Sequence, residues 1–275
     1  MKAQYRIAGD HFLIVKYSES FSLRLNFRVL ILAERLKMMR IKGVRGFTSA
    51  INSLMIDYDP FRISAQDLMR EVRRLGDDEG EDKKVLRSRL IRIPIVYGDR
   101  WTRDCAEEFH VPPNLEFVAE HNGMSVDELV RMHSTSTFWI LFIGFSPGLS
   151  VFVPIDPAQR ITAPKYEVPR TWTPVGTIGI GGILNCFYVV KNPGGFQMLG
   201  RTPLLAYDLE RRNSVFEEDI TLFRRSDRIV FEPITLEEFL DIEENFSSYE
   251  YQIEEEDWTI TQFPDEEESG DVGSP

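Results

Sequence analysis

Arg201 has neighbours that suit it to binding an anion. It lies in Gly200-Arg201-Thr202-Pro203, at the end of a glycine-rich stretch that begins near residue 170. Its guanidinium offers a rigid fork of donors that matches a carboxylate or a phosphate. The alternative is that Arg201 only pairs with a structural acid or a carbonyl, and the sequence leaves both open.

The glycine-rich stretch itself predicts a small β-barrel whose corners turn close to a site. Its glycines separate short β-branched or aromatic runs, and they fall at positions 176, 179, 181, 182, 194, 195 and 200. Glycine inside strand patterns marks tight corners or the close approach of a ligand or another backbone. The stretch is not a phosphate-binding loop, because neither Gly-x-x-x-x-Gly-Lys-Ser/Thr nor a helix-opening Gly-x-Gly-x-x-Gly is present.

Gly144-Phe145-Ser146-Pro147-Gly148 matches the Gly-x-Ser-x-Gly string of serine hydrolases. In those enzymes the backbone N–H after the serine is an oxyanion donor, and Pro147 has none. The flanking runs also indicate strand–turn–strand, where the hydrolase motif requires strand–turn–helix. We therefore interpret the segment as a tight turn with Gly148 in the unusual backbone conformation.

His133 follows a helix that a capping box, Ser125 to Glu128, predicts. A histidine there could act as a general acid or base, or it could only interact with the helix C-terminus. The other three histidines show no ligand spacing with Cys or acidic residues, so we predict no metal site.

The net charge of −12 comes from one end of the sequence. Of the 44 acidic residues, 15 lie in residues 236–275, which contain no Lys or Arg; the remainder has 29 acidic and 32 basic residues. Such a block is typical of a flexible acidic tail, although Tyr249, Tyr251, Trp258 and Phe263 would also allow it to dock on a partner or on the protein itself. Cys105 and Cys186 form no disulfide pattern, and no apolar run is long enough to span a membrane. We expect a cytoplasmic protein.

Residues 1–84 predict a ferredoxin-like α/β domain. The pattern is two strands, a helix, two strands and a helix, followed by the charged segment from Gly76 to Lys84 as a boundary. Several basic residues between Arg24 and Arg45 accompany no nucleic-acid-binding motif, so we expect a solvated helix face and no nucleic-acid partner.

Residues 85–235 predict a second domain, a β-barrel preceded by short helices. Short strands separated by Pro and Gly turns run from Thr137 to Phe231. Pro94 favours an edge position for the strand that contains it.

These motifs together resemble the allophanate hydrolase subunit 1 family, which includes Kip-inhibitor-like proteins, the B subunit of 5-oxoprolinase and a module of urea carboxylase. The resemblance covers about residues 5–235. The most specific strings are Gly144–Gly148, the run from Pro169-Arg170 through Gly182, and Pro193-Gly194-Gly195-Phe196-Gln197-Met198-Leu199-Gly200-Arg201-Thr202-Pro203.

The resemblance implies a ferredoxin-like N-terminal domain followed by a cyclophilin-like β-barrel, and an active site shared with a subunit 2 homologue. In 5-oxoprolinase a third subunit joins, and ATP is used to open the lactam of 5-oxoproline. By position, the family's polar motif residues are matched by His133, Arg170 and Arg201, which the resemblance makes catalytic candidates. The implied substrate-binding residues are Phe145, Pro147, Gly148, Gly194, Gly195, Gln197 and Thr202.

The sequence departs from the family after the glycine run, where the usual Gln-Thr is replaced by Leu184-Asn185. This weakens the assignment of a substrate but not of the fold. The main hypothesis is a subunit of an ATP-dependent 5-oxoprolinase-type complex, with ATP bound with partner subunits. The alternatives are a component of a biotin-dependent, urea carboxylase-like enzyme, and a Kip-like inhibitor of a sensor histidine kinase.

Overall fold

The computed structural model describes residues 3–76 and 84–265, which divide into two compact units. The first unit holds the described residues up to Arg87 together with those from Asp257 onward, and the second is Ser88–Glu256. Most of the predicted boundary segment, residues 77–83, lies outside the described residues.

The first unit is a four-stranded antiparallel sheet with two helices. Its elements are β1 (Gln4–Ala8), β2 (Phe12–Lys16), α1 (Leu23–Met39), β3 (Val44–Ser49), β4 (Ser53–Tyr58) and α2 (Ala65–Gly76). The strand order is β1-β2-β4-β3. Alternate residues of β2 and β4 are buried, among them Val15 and Ile56, and they pack with Val29 of α1 and Val72 of α2. Both helices therefore contribute to one core with the sheet.

The second unit contains most of the strands. Its elements are β5 (Val85–Tyr97, which begins in the first unit), α3 (Arg100–Glu108), α4 (Asn114–His121), α5 (Val126–Thr135), β6 (Thr137–Ile143), β7 (Ser150–Pro154), β8 (Arg170–Thr173), β9 (Thr177–Gly181), β10 (Leu184–Phe187), β11 (Asn192–Gly194), β12 (Gln197–Arg201), β13 (Arg228–Pro233), α6 (Leu236–Glu244) and β14 (Ile253–Thr259, which ends in the first unit). The order in the large sheet is β12-β9-β10-β7-β6-β13-β5-β14.

The large sheet closes on itself. The end of β12 pairs with β5, through Gly200 opposite Tyr97 and Arg201 opposite Val96, so seven strands form a ring and β14 adds to β5. Closure removes the free edges that an open sheet would expose. The expectation of an edge strand at Pro94 is wrong, because β5 pairs with β13 along Leu90–Ile95 and also with β12.

An apolar core of large side chains lies against this ring. Ile93, Phe138, Phe152, Phe187 and Phe231 are all 0–1% exposed and belong to one cluster. They come from five different strands, since each strand directs alternate residues to the same face. Burying a large apolar side chain contributes about 1.5–3 kcal/mol, so this cluster is a main source of stability.

The helices α4 and α5 cover another part of the sheet. Leu115, Val118 and Leu129 pack with Ile180 and Leu199 in a second buried cluster. Helix α5 begins where the sequence predicts, because the Ser125 side chain accepts from the Glu128 N–H and the Glu128 carboxylate accepts from the Ser125 N–H.

The prediction of a flexible tail from residue 236 differs from the structure over its described part, 236–265. Thr235 and Glu238 form a capping box that opens α6, and Phe239 of that helix is fully buried. Strand β14 follows, with Trp258 buried. The aromatic residues that interrupt the acidic run are what bury this segment, while its acidic residues stay at the surface. Residues 266–275 lie outside the described residues.

The protein is thus a mixed α/β structure with large sheets. Among residues 3–76 and 84–265, no helix has the length and hydropathy needed to cross a membrane.

Candidate functional site

Arg170, the first residue of β8, is a buried cation without an acidic partner. Its side chain belongs to the largest fully buried ones, at 1% exposure. Nη2 donates to the Phe196 carbonyl oxygen at 2.9 Å and to Thr173 Oγ1 at 3.4 Å. Nε and Nη1 have no hydrogen-bond partner among the described residues, where no carboxylate pairs with this guanidinium either.

A buried guanidinium in this state is costly. Arginine keeps its proton in proteins, so it cannot avoid the cost by becoming neutral. Buried charges are normally paired, because removing a charge from water without a partner costs several kcal/mol. The free N–H groups on Nε and Nη1 point in different directions, and each can donate to an oxygen of an anionic group such as a carboxylate or the oxyanion of a reacting carbonyl. Arg170 is therefore suited to an anionic group that the protein itself does not supply.

The glycines Gly194 and Gly195 lie beside Arg170. Gly194 is opposite Arg170 in the β8–β11 pair, and a Cβ built there would overlap the Tyr188 hydroxyl. The carbonyl oxygen of Gly195 accepts from the Tyr166 N–H at 2.8 Å. Only glycine fits at 194 with this arrangement, so the close packing next to the guanidinium depends on it.

Tyr166 covers the guanidinium of Arg170. The guanidinium carbon lies 4.6 Å from the centre of the Tyr166 ring, within the range of a cation–π contact. The Tyr166 hydroxyl donates to Asn114 Oδ1 at 2.6 Å. Gln197 is held close by, since its Nε2 donates to the Pro164 carbonyl oxygen at 2.9 Å. The Tyr166 ring therefore covers the Arg170 guanidinium, and Gln197 binds the chain just before it.

The other titratable groups around Arg170 are neutral. Burial raises the pKa of Cys186 to about 12 and holds the pKa of Tyr188 well above its usual range, while the positive charge of Arg170 acts in the opposite direction. Burial also raises the pKa of Cys105 to about 11, again opposed by Arg170. None of these groups supplies an anion at neutral pH, so the charge of Arg170 stays uncompensated.

The turn between β6 and β7 is linked to the same region. Ser146 Oγ accepts from Asn192 Nδ2 at 3.2 Å, and Asn192 begins β11. Phe145 has a positive φ of 70° and is 78% exposed, Pro147 is exposed, and Gly148 has a φ of 79°. The prediction of a strand–turn–strand segment with Gly148 in the unusual conformation is confirmed.

His133 lies in a different environment, on α5. Its Nδ1 is 2.7 Å from the Tyr97 hydroxyl oxygen, and its ring lies 4.8 Å from the ring centres of Phe138 and Phe231. Burial lowers the pKa of His133 to about 3, and the adjacent Asn185 amide acts in the opposite direction. The imidazole is therefore neutral at physiological pH. Nε2 makes no hydrogen bond of ordinary geometry with any described residue.

Arg201 lies in a third environment, at the end of β12. Its Nε donates to the Val175 carbonyl oxygen at 2.7 Å, and its Nη2 lies 3.1 Å from Glu243 Oε1. The guanidinium is also 4.5 Å from the Trp101 ring centre and 5.1 Å from that of Phe239. The sequence leaves open whether Arg201 binds an anion or pairs within the protein. The structure shows the second, a pairing of Arg201 with an acid and a carbonyl.

The three predicted catalytic groups make separate sets of contacts. Among the hydrogen-bond, ion-pair and ring contacts of the described residues, His133, Arg170 and Arg201 have no common neighbour. That they face one groove stays a prediction. The predicted substrate-binding residues divide in the same way. Gly194, Gly195 and Gln197 adjoin Arg170, whereas Thr202 lines a cavity with Arg201.

The residues around Arg170 and Arg201 include several that sequence reasoning missed. Tyr166 and Tyr188 surround Arg170, and Trp101, Phe239 and Glu243 surround Arg201. For Phe239 and Glu243 a signal exists, because the capping box Thr235-x-x-Glu238 predicts the start of α6. No local pattern indicates the contacts of Tyr166 or Trp101, because these depend on the tertiary fold.

Comparison with known proteins assigns this chain to one family. Residues 3–216 match the family described as carboxyltransferase domain, subdomain C and D. The chain belongs to this family.

Among curated relatives, the chain is 28% identical over 268 residues to urea amidolyase of Lachancea kluyveri, covering 93% of this chain and 15% of the relative. It is 26% identical over 251 residues to the B subunit of 5-oxoprolinase from Bacillus subtilis, covering 87% of this chain and 97% of that protein. The chain thus spans about a sixth of the first relative and nearly all of the second.

Two solved structures of related enzymes are similar to this chain over 94% of its length. The urea amidolyase of K. lactis superposes with a TM-score of 0.85 at 26% identity, over 94% of this chain and 16% of that one. The urea carboxylase of Kluyveromyces lactis gives a TM-score of 0.84 at 26% identity, over 94% of this chain and 24% of that one.

Proposed function

We propose that this chain is one subunit of an ATP-dependent, 5-oxoprolinase-type enzyme that hydrolyses a lactam or amide together with a subunit 2 homologue. The single observation that carries the proposal is Arg170, a buried guanidinium with two unpartnered nitrogens among the described residues. The match to nearly the whole of the B subunit of B. subtilis 5-oxoprolinase supports it.

In this proposal Arg170 holds an anionic group of the substrate or the oxyanion that forms during reaction. A guanidinium fixed in a dry site stabilises developing negative charge more than water does, because its donors need no reorganisation. Gly194 lets Tyr188 and Thr173 pack closely beside this group. Tyr166 must shift for a substrate to enter, because its ring covers the guanidinium and Arg170 is only 1% exposed.

The roles of the other predicted site residues are also proposals. Phe145 and Pro147 lie at the exposed β6–β7 turn, which is bonded to β11, and a partner could contact them there. His133 and Arg201 are not assigned to the Arg170 site. Because the sequence contains no nucleotide-binding motif, we propose that ATP binds with the partner subunits, which would include a third 5-oxoprolinase subunit, and that the complex works in the cytoplasm.

We also propose finer names for the two folds. In the first unit, the order β1-β2-β4-β3 with helices after β2 and β4 corresponds to the ferredoxin-like sandwich, with β1 in the place of the usual last strand. The closed seven-stranded ring of the second unit corresponds to a cyclophilin-like barrel. A barrel of this type does not by itself imply prolyl isomerase activity.

A second function is favoured by a different observation. The structural similarity to the urea amidolyase of K. lactis extends over 94% of this chain, with a TM-score of 0.85. This supports an alternative in which the chain serves the carboxyltransferase reaction of a biotin-dependent enzyme. Biotin would then be carried by another protein or domain, and Arg170 would hold the carboxylate being transferred.

The test is to co-express the full chain with a subunit 2 homologue from the same genome and to purify them through a tag on one partner. We expect a stable complex whose ATP hydrolysis, with the third subunit added, depends on 5-oxoproline. Hydrolysis that depends on urea and a biotinylated carrier instead would favour the second function. Absence of a complex would contradict both.

A further inference from the structure

We propose that the cavity beside Arg201 is a binding site for a small carboxylate with a short apolar tail, and that Glu243 is the internal carboxylate that such a ligand displaces. This site is distinct from the Arg170 site, since the described contacts of the two arginines have no residue in common. The inference therefore does not depend on the proposed function.

The guanidinium of Arg201 is held in a fixed position. It packs against both the Trp101 and the Phe239 ring, at 4.5 Å and 5.1 Å from their centres, and those two rings contact each other at 4.9 Å. Its Nε is bonded to the Val175 carbonyl oxygen. Stacking and this hydrogen bond orient the fork of N–H groups, so less conformational entropy is lost when an anion binds.

The cavity next to this guanidinium has a volume of 190 Å³. This is well above the roughly 15 Å³ needed to admit one water, yet it is small for a binding pocket. A second guanidinium, that of Arg212, also lines it but is already paired with Asp208 and Glu210. The rest of the wall is mainly apolar, with Val175, Leu204 and Phe246. The Arg201 guanidinium and an apolar wall match a short-chain carboxylate better than a neutral or a polyanionic ligand.

The backbone at Gly176 forms part of the same wall. Its φ is 82°, and a Cβ built there would overlap the Thr202 carbonyl oxygen. Only glycine can occupy this position without a shift of the backbone. The wall of the cavity is therefore formed by main chain that lies against Arg201 and Thr202.

The Glu243 carboxylate can leave this ion pair at a small cost in free energy, because it is far more exposed than Arg201. The Glu243 side chain is 44% exposed, whereas the Arg201 side chain is 17% exposed. A carboxylate that moves into solvent regains its hydration, and ion pairs of this exposure contribute only about 0–1 kcal/mol. A carboxylate ligand with apolar contacts could therefore replace Glu243 on the guanidinium.

Helix α6 is the element that a ligand would affect. Phe239 and Glu243 both belong to it, and Phe246 follows it directly. Release of Glu243 removes one of the described contacts between α6 and the end of β12, while the stack of Phe239 on Trp101 can remain. Ligand binding should therefore alter the surroundings of Trp101.

The experiment uses the full chain labelled with ¹⁵N, with the indole N–H signal of Trp101 as the reporter and butyrate as the probe. The Trp101→Phe variant assigns that signal. We expect butyrate to shift it in a saturable manner and neutral butyramide not to shift it. In Glu243→Gln we expect butyrate to bind about three- to fivefold more tightly, because the competing carboxylate is gone.

Glu244→Gln is the matched control, since Glu244 is an exposed neighbour on the same helix and should leave the affinity unchanged. Arg201→Gln should abolish the shift. If that variant does not fold, the tighter binding of butyrate to Glu243→Gln still tests the proposal. The proposal is overturned if butyrate fails to shift the signal in Glu243→Gln. Equal affinities in Glu243→Gln and Glu244→Gln, or an equal response to butyramide, would overturn it as well.

Discussion

The hydroxyl oxygen of Tyr97 lies 2.7 Å from Nδ1 of His133, and the ring of His133 is buried among Phe138 and Phe231. Burial holds the pKa of Tyr97 far above its usual range, so the hydroxyl keeps its proton. Which of the two atoms donates depends on the tautomer of His133. Because burial also lowers the pKa of His133 to about 3, its imidazole is neutral at physiological pH.

This relationship predicts a specific pH dependence of stability. Burial lowers the pKa of His133 to about 3, below the value of about 6.5 in the unfolded chain. The unfolded state therefore binds more protons between pH 6.5 and 3, so stability falls as the pH falls through this window. Between pH 6.5 and 5 the loss from His133 should be about 2 kcal/mol.

The measurement is urea unfolding of the wild type and of His133→Gln at pH 7 and pH 5. Glutamine can still bond to Tyr97 but takes up no proton. The unfolding free energy of His133→Gln should therefore fall less between pH 7 and pH 5 than that of the wild type. His121→Gln, a substitution at an exposed position of α4, is the matched control. Equal losses in the wild type and His133→Gln would show that His133 does not carry this dependence.

A second prediction concerns the buried ion pair of Arg89 and Asp227. Arg89 Nε donates to Asp227 Oδ1 at 3.0 Å, and both side chains are at least 90% buried. Breaking such a pair leaves a buried charge without a partner and costs about 3–5 kcal/mol. Asp227→Asn should therefore lower the unfolding free energy by an amount in this range, measured by urea denaturation.

Glu232→Gln provides the comparison for that variant. Glu232 pairs with Arg92 at 3.2 Å, but both side chains are about a third or more exposed. Solvent screening limits such a pair to about 1 kcal/mol or less. If Asp227→Asn and Glu232→Gln were equally mild, the buried pair would have no special role in stability.

A third prediction compares the effect of alanine at two glycines. At one of them alanine would only strain the backbone, and at the other it would also overlap a backbone atom. Gly176 and Gly182 both have positive φ, 82° and 62°, but a Cβ at Gly176 would overlap the Thr202 carbonyl oxygen, whereas one at Gly182 meets nothing within 4 Å. Gly182→Ala should cost about 1 kcal/mol from backbone strain alone. Gly176→Ala should cost clearly more, in the range of about 2–4 kcal/mol, because backbone atoms must also shift. Thermal unfolding of both variants measures this difference, and equal costs would contradict the close approach at Thr202.

The packing of helix α6 gives a fourth prediction. Phe239 is fully buried and lies 4.9 Å from the Trp101 ring centre, while the adjacent Leu240 is 42% exposed. Phe239→Ala should lower the unfolding free energy by about 3–5 kcal/mol, whereas Leu240→Ala should have less than a third of that effect. Urea denaturation compares them, and a mild effect of Phe239→Ala would restore the expectation of a loose acidic tail.

The sequence predicted elements wherever a local pattern repeats. The apolar spacing from Phe21 to Met39 indicated α1, and the box at Ser125 and Glu128 gave the start of α5. The glycine-rich stretch and the short strands indicated the closed sheet. These patterns are visible because helix and strand periodicity and end-capping act over a few residues.

The parts that could not be predicted depend on contacts between distant residues. Charge composition indicated a tail at 236–275, but burial of Phe239 against Trp101 overrides it, and nothing local to α3 or α6 announces that contact. The grouping of His133, Arg170 and Arg201 was likewise inferred from motif positions. Their actual surroundings are set by which strand and helix faces meet, and local sequence patterns do not determine this.

The most direct test of the central claim is the activity of the complete complex with Arg170 changed to Gln. The claim is that this buried guanidinium holds the anionic group of the substrate or of the reacting carbonyl. We predict that Arg170→Gln lowers the rate of 5-oxoproline-dependent ATP hydrolysis by about 100-fold or more, with the complex still formed. Arg131→Gln, at an exposed position of α5, should keep the full rate. Full activity of an intact complex that carries Arg170→Gln would contradict the account.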